Sequence, residues 1–336
     1  MEIEKPLPMH NIDSIATPNG HVEYSLDKAR QLLTQKDFSE EIVLGDHIDG
    51  FDFNLENAIL RHLDNSGQQL TVWIDQMLDG NLKSQYPNLQ FKFNFKNAYR
   101  IMWSAFEKYN QHPTIDYKNF ICSFNGSPHV SRKLLVSILE KFGYFNLDYC
   151  SKNFSYSLDV LDGHVQDYAG DRVNFYRNFF ISGNKEDFFQ LQNSFSHERF
   201  QHDKNIYNLE SKLTGSFLHI VSESMATSYV PLVTEKFLYS VVTRGLFLAY
   251  AQPGWHAHVE KYYGFKRYTK LFDYSFDTIQ NPVDRLVKLI SMISKFDRLS
   301  FEEWNNLYLI EQDTIEYNYD HYFSGKYLEH LKQYAN

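Results

Sequence analysis

Only two cysteines occur in 336 residues, Cys122 and Cys150, each inside an apolar segment. That scarcity excludes a disulfide framework and a cysteine-rich metal site, so both are expected to be small core residues in a reducing compartment. No Gly-x-Gly-x-x-Gly, Walker or Gly-x-Ser-x-Gly sequence occurs, which argues against a dehydrogenase, an NTPase and a serine hydrolase. An Asp-x-Asp pair of the kind metal-dependent sugar transferases use is also missing. The histidine groupings, His256-Ala-His258 and His197 with His202, have neither a nearby cysteine pair nor helical ligand spacing, so no metal site is expected. The longest apolar run, Phe237 to Ala251, is broken by Arg244 and Gly245, too early for a membrane span. The amino terminus carries no secretion signal, so a cytoplasmic location is expected. Basic charge is short as well. A net charge of -9 disfavours non-specific attachment to nucleic acid or an anionic membrane, although Arg132, Lys133, Lys236, Arg244, Lys266 and Arg267 are candidates for a local basic groove.

What is present is enough apolar material for two cores: 43% hydrophobic residues against 22% charged. Aromatics reach 17%, with some expected to line a groove or to reflect compositional bias. Short apolar runs alternate with segments of helical spacing. Strands are predicted at 41–44, 70–74, 89–95 and 120–124, with helices at 55–63, 98–109 and 130–142. A polar arm precedes them, and residues 151–205 lack clear periodicity. Alternation resumes with strands 217–222 and 246–250, helices 234–243, 254–263 and 283–296, and an acidic, aromatic helical tail from 301. Such alternation predicts an α/β protein with parallel sheets. The expected division is a first lobe over 1–150, an irregular passage over 151–210, a second lobe over 211–300 and a helical segment over 301–336.

In a parallel α/β sheet, ligands bind beyond the carboxyl ends of the strands. Two segments put polar groups there. Phe217 to Ser224 ends on Ser222-Glu-Ser224, and the next helix opens on Thr234-Glu-Lys236. Glu235 is suited to hydroxyls and Lys236 to phosphate charge. Phe120 to Phe124 runs into Asn125-Gly-Ser127 and then a helix with Arg132 in its first turn, able to grip two phosphate oxygens. Among loop acids, Asp46 and Asp49, with Asp52 and Asp75 behind them, are candidates for a general base.

Taken together, these segments, with Gly264-Phe265 and Phe272-Asp-Tyr-Ser-Phe-Asp277, resemble the α-1,3-fucosyltransferase group and related nucleotide-sugar glycosyltransferases of bacteria and large viruses. The resemblance covers about residues 119–296. It implies two Rossmann-like lobes of GT-B type with a cleft between them, and inverting transfer without an essential metal or other cofactor. It also implies Arg132 and Lys236 on the donor diphosphate, Glu235 on ribose or sugar, and Glu223 at the donor-side strand end, with Asn125 and Ser127 nearby. Ser222-Glu-Ser224 stands where Phe-Glu-Asn is common, leaving the donor sugar open. The expected partners are a nucleoside-diphosphate sugar and a hydroxyl acceptor, most simply a glycan. A hydroxymethylated DNA base, disfavoured by the acidic balance, and a non-catalytic glycan-binding scaffold are the alternatives.

Overall fold

The computed structural model describes residues 33–36, 38, 40–43, 53–74, 77, 83–93, 106, 108–109, 111–125, 130–152, 202–223, 226 and 231–334. Among the candidate residues, Asp46, Asp49, Asp52, Asp75 and Ser127 lie outside them, as does most of the predicted helix 98–109.

Two parallel sheets form the frame. The first orders β1 (Glu41–Val43), β2 (Leu70–Ile74) and β3 (Leu89–Phe93) in sequence. Helix α1 (Phe53–Asn65) lays Ile59, Leu60 and Leu63 against Leu70, Val72 and Leu89. Their i, i+1, i+4 spacing is what puts all three on one helical face. Asp64 then ties the helix end to the start of β3, accepting from the Asn88 amide at 2.8 Å.

The second sheet has the order β5-β4-β6-β7, with β4 at Asn119–Asn125, β5 at Cys150–Lys152, β6 at Ser216–Ser222 and β7 at Leu246–Tyr250. Every residue of β6 and of the edge strand β7 is buried, as strands covered on both faces must be. The expected first lobe over 1–150 contributes strands to both sheets. Its last predicted strand pairs with β6 rather than with β3, and Cys150 begins a further strand on the far side of β4. The sheet boundary therefore falls between β3 and β4. Helix α3 (His202–Thr214) was also missed within and beyond the aperiodic region, although Ile206, Leu209 and Leu213 supply a helical apolar stripe, all buried.

Hydrogen bonds settle which helix covers which face. Lys152 pairs with Asn125 in register and reaches Glu140 of α2 (Val130–Lys141) at 2.6 Å, so α2 lies on the Asn125 face. His219 pairs with Cys122, whose side chain points the other way. Its ring bonds the Leu213 carbonyl of α3 and Ser240 of α4 (Leu238–Val242), so α3 and α4 cover the opposite face.

Beyond β7, α5 (Trp255–His258) passes directly into a π-helical turn over Val259–Tyr263, in place of the single predicted helix. Its terminal carbonyls on Lys261 and Tyr263 receive the rings of His330 and His321, each at 2.8 Å. These histidines come from α9 (Lys326–Lys332) and α8 (Gln312–Phe323). Helix α6 (Pro282–Ile293) starts on an Asn281 cap with proline in its first turn, and α7 (Phe301–Ile310) on a capping box of Ser300 and Glu303. Much of the aromatic surplus goes into this core: Trp304 of α7 stacks on Phe217 at 5.6 Å and on Phe120 at 5.7 Å.

Candidate functional site at the carboxyl end of the second sheet

Strand order decides where a ligand would fit. From β4 the chain goes through α2 to β5 on one side, then returns through α3 to β6 on the other. That reversal makes the carboxyl ends of β4 and β6 a topological switch point, the place where connecting segments diverge and leave a crevice. Asn125 ends β4, and Ser222 followed by Glu223 ends β6. The two segments singled out in the sequence, 97 residues apart, thus become neighbours.

Glu223 is fully buried. Its backbone N–H bonds the Tyr250 carbonyl of β7 at 3.2 Å, continuing the sheet by one step. The carboxylate accepts from the Thr234 hydroxyl at 2.7 Å and from the Thr234 backbone N–H at 3.3 Å. Thr234 caps a short 3-10 turn, Glu235–Phe237, that leads into α4. Its hydroxyl accepts from Lys236 Nζ at 2.8 Å and from the Lys236 backbone N–H at 3.4 Å. One donor and two acceptor positions exhaust a hydroxyl's capacity, so Thr234 is saturated. The chain Glu223–Thr234–Lys236 therefore fixes an ammonium at the strand end. Nζ lies 3.8 Å from Glu223 and 3.7 Å from Glu235, and the lysine side chain keeps 25% of its surface open. Burial raises the Glu223 pKa above the usual carboxylate value, with Lys236 and the Thr234 hydroxyl pulling against it.

Arg132 stands in the first turn of α2, on the Asn125 face, whereas Lys236 opens the connection to α4 on the other face. Both segments follow strands whose carboxyl ends meet at the switch point, so Arg132 and Lys236 belong to opposite faces of the sheet. Arg132, a candidate for a local basic groove, is only 4% exposed and so lies under cover. Lys152 and Arg285, also buried, sit at the same end and face. Lys152 is in register with Asn125, and the Arg285 guanidinium lies 6.0 Å from the Tyr250 ring centre.

Sequence reasoning missed the pairing of His256 with Asp277. His256 Nδ1 meets Asp277 at 2.7 Å, and its Nε2 accepts the Ala249 backbone N–H at 2.9 Å. An Nε2 that accepts fixes the hydrogen on Nδ1, so the ring donates to Asp277 and neither nitrogen is left for proton transfer. Asp277 also accepts from the backbone N–H of His256 and Ala257. This pair joins α5 to β7 and to the 3-10 turn Tyr274–Thr278; it is a structural clamp. The spacing of 21 residues offers no local signal for it.

At the opposite, amino end of the sheet, an open depression of about 570 Å³ is lined by Asp116, Lys118, Tyr149, Ser211, Lys212 and Thr214, among others. Lys118 there pairs with Asp116 at 2.9 Å, both largely exposed. Among the described residues, no group of three or more His, Cys, Asp or Glu is disposed to hold a metal ion, no helix is long and apolar enough to cross a membrane, and Cys122 and Cys150 are buried and free. Comparison with family models, with curated proteins and with solved structures gave no match.

Proposed function

We propose that this chain is a glycosyltransferase that moves a sugar from a nucleoside-diphosphate donor to a hydroxyl acceptor, with the donor seated at the carboxyl end of the second sheet. The observation that carries the reading is Lys236, held by Thr234 on a buried carboxylate beside the switch point. A preplaced cation stabilises the negative charge that builds on a departing diphosphate. In the transfer, the acceptor oxygen forms a bond to the anomeric carbon as the bond to the diphosphate oxygen breaks, that oxygen keeping the electron pair. The acceptor's proton passes to a base, for which Asp46 and Asp49 are the candidates from sequence. Inversion, independence from metal, a second lobe closing over the donor, and a glycan acceptor belong to the same proposal and rest on the fucosyltransferase-like resemblance.

Titration calorimetry with UDP, GDP and ADP tests it. One of the three is expected to bind, and Lys236→Ala is expected to weaken that binding at least roughly tenfold, the value of one charge-assisted contact. The variant's thermal transition is expected to stay intact, because the side chain is partly open. Binding of none of the three favours a non-catalytic scaffold.

A further inference from the structure

We propose that Ser222 and Asn125 form a polar subsite that takes one hydroxyl of the bound ligand, an inference that rests on the nucleotide-sugar reading above. Its basis is a forced assignment of hydrogens. The Ser123 hydroxyl donates to the Ile220 carbonyl at 2.9 Å, which uses its only hydrogen. Towards Asn125 the same oxygen acts as acceptor, so the amide nitrogen must face it, at 3.1 Å, and that nitrogen also donates to the Ser151 carbonyl at 3.3 Å. The amide therefore has one orientation, with Oδ1 turned away from Ser123 and Ser151. Oδ1 has no hydrogen-bond partner, and neither has Ser222 Oγ. Both residues are closed to solvent, at 0% and 2% exposure.

The two unpartnered groups end adjacent strands. β4 and β6 pair as far as Cys122 with His219, the Ser123 side chain still reaches the Ile220 carbonyl, and continuing that spacing would bring Asn125 level with Ser222, on one face of the sheet. An acceptor-only oxygen beside a hydroxyl is matched by a neutral group that donates to the first and accepts from the second. A ligand hydroxyl does both. A phosphate oxygen does not, because it has no hydrogen for Oδ1 and meets another acceptor there. The geometry thus gives this pair a hydroxyl of the ribose or of the transferred sugar, and leaves the phosphates to the cations.

The test is calorimetric titration of the wild type and of Ser222→Ala with whichever of UDP, GDP and ADP binds, with its 2′-deoxy and 3′-deoxy forms, and with its glucose conjugate. Losing one hydrogen bond in a dry site is expected to weaken binding by about tenfold. If the group is a ribose hydroxyl, the loss appears with the plain diphosphate and disappears with one deoxy form. A sugar hydroxyl gives a loss confined to the glucose conjugate. Unliganded Ser222→Ala is expected to melt at the same or a higher temperature, since the hydroxyl it removes has no partner. Unchanged affinity for every probe, an equal loss for all of them, or a lowered melting temperature each overturns the subsite. Failure of the wild type to bind any probe removes the nucleotide-sugar reading and the subsite together, whereas wild-type binding that Ser222→Ala leaves untouched removes the subsite alone.

Discussion

His219 and Glu223 lie four residues apart on and just beyond the same strand, both buried, and their surroundings treat them in opposite ways. Both His219 nitrogens are matched. Nε2–H donates to the Leu213 carbonyl at 2.8 Å, and Nδ1 accepts from the Ser240 hydroxyl at 2.8 Å. Glu223 has two hydrogen bonds to Thr234 and a cation 3.8 Å away, the last partly open to solvent. Ser222, next to it in the chain, and Asn125, at the end of the adjacent strand, retain polar atoms with no partner. Mid-sheet, buried polarity is balanced; at the carboxyl end it is left incomplete. Since an unmatched buried polar group costs about 1–3 kcal/mol, the carboxyl end carries an expense the rest of the sheet avoids, and a ligand that completes it would offset that cost.

The largest expected effect strikes the balanced half. A Cβ at Gly245 would fall 2.1 Å from His219 Cε1 and 2.7 Å from both ring nitrogens. The ring is held at both ends and cannot yield without losing a bond. Gly245→Ala is therefore expected to destabilise the fold by about 3 kcal/mol or more, read as the shift in chemical-denaturation midpoint. A variant as stable as the wild type would mean that the ring is not fixed in this way.

Acid probes the same histidine more gently. Burial lowers its pKa from 6.5 to about 4. Between those values the unfolded chain binds a proton that the folded chain refuses, so stability falls as pH drops from about 6.5 towards 4. This one group contributes at most about 3 kcal/mol to that loss. Denaturation at stepped pH measures the slope, and His219→Gln is expected to flatten it. A slope identical in wild type and variant assigns the acid sensitivity elsewhere.

Glu223→Gln is expected to have the smallest effect on stability and a large one on the site. With its folded pKa raised, Glu223 favours the fold at low pH and loses that contribution as pH rises past the unfolded carboxylate value, opposite in sign to His219. Replacing it by an uncharged isostere is expected to change stability at pH 8 by less than about 1 kcal/mol, in either direction, because a desolvated charge is removed along with its bonds. Nucleoside-diphosphate binding is expected to weaken, since Lys236 loses its anchor. A Glu223→Gln protein that is strongly destabilised yet binds normally would erase the distinction between the two residues.

How much of this was legible beforehand depends on how local the determining interaction is. Strand β7 was readable because its unbroken apolar run leaves little else a short segment can be, β6 because apolar pairs flank its one histidine, and α6 because an Asn281-Pro282 cap precedes a clean apolar stripe. Strand β5 was not, since three residues carry no period. Helix α3 had its stripe at Ile206, Leu209 and Leu213, masked by the polar residues between. At the candidate site, the sequence pointed to Asn125, Arg132, Glu223 and Lys236 through their positions after apolar runs. It did not reveal that Glu223 would be sealed inside and act through Thr234, nor that Arg132 would be almost wholly covered, because burial of a charged side chain depends on what packs over it.

Periodicity, caps and the order of apolar runs by themselves determined that this chain builds parallel α/β layers, and that the residues ending β4 and β6 would stand at strand termini. Those signals act over a few residues, where backbone sterics and side-chain spacing suffice. Only the tertiary structure decided that β4 leaves the first sheet to pair with β6, that α2 and α4 cover opposite faces, and that Ser222 and Asn125 end adjacent strands. Each follows from which strand hydrogen-bonds to which. That choice lies between distant segments with similar apolar faces, and it is settled by the packing of the whole layer.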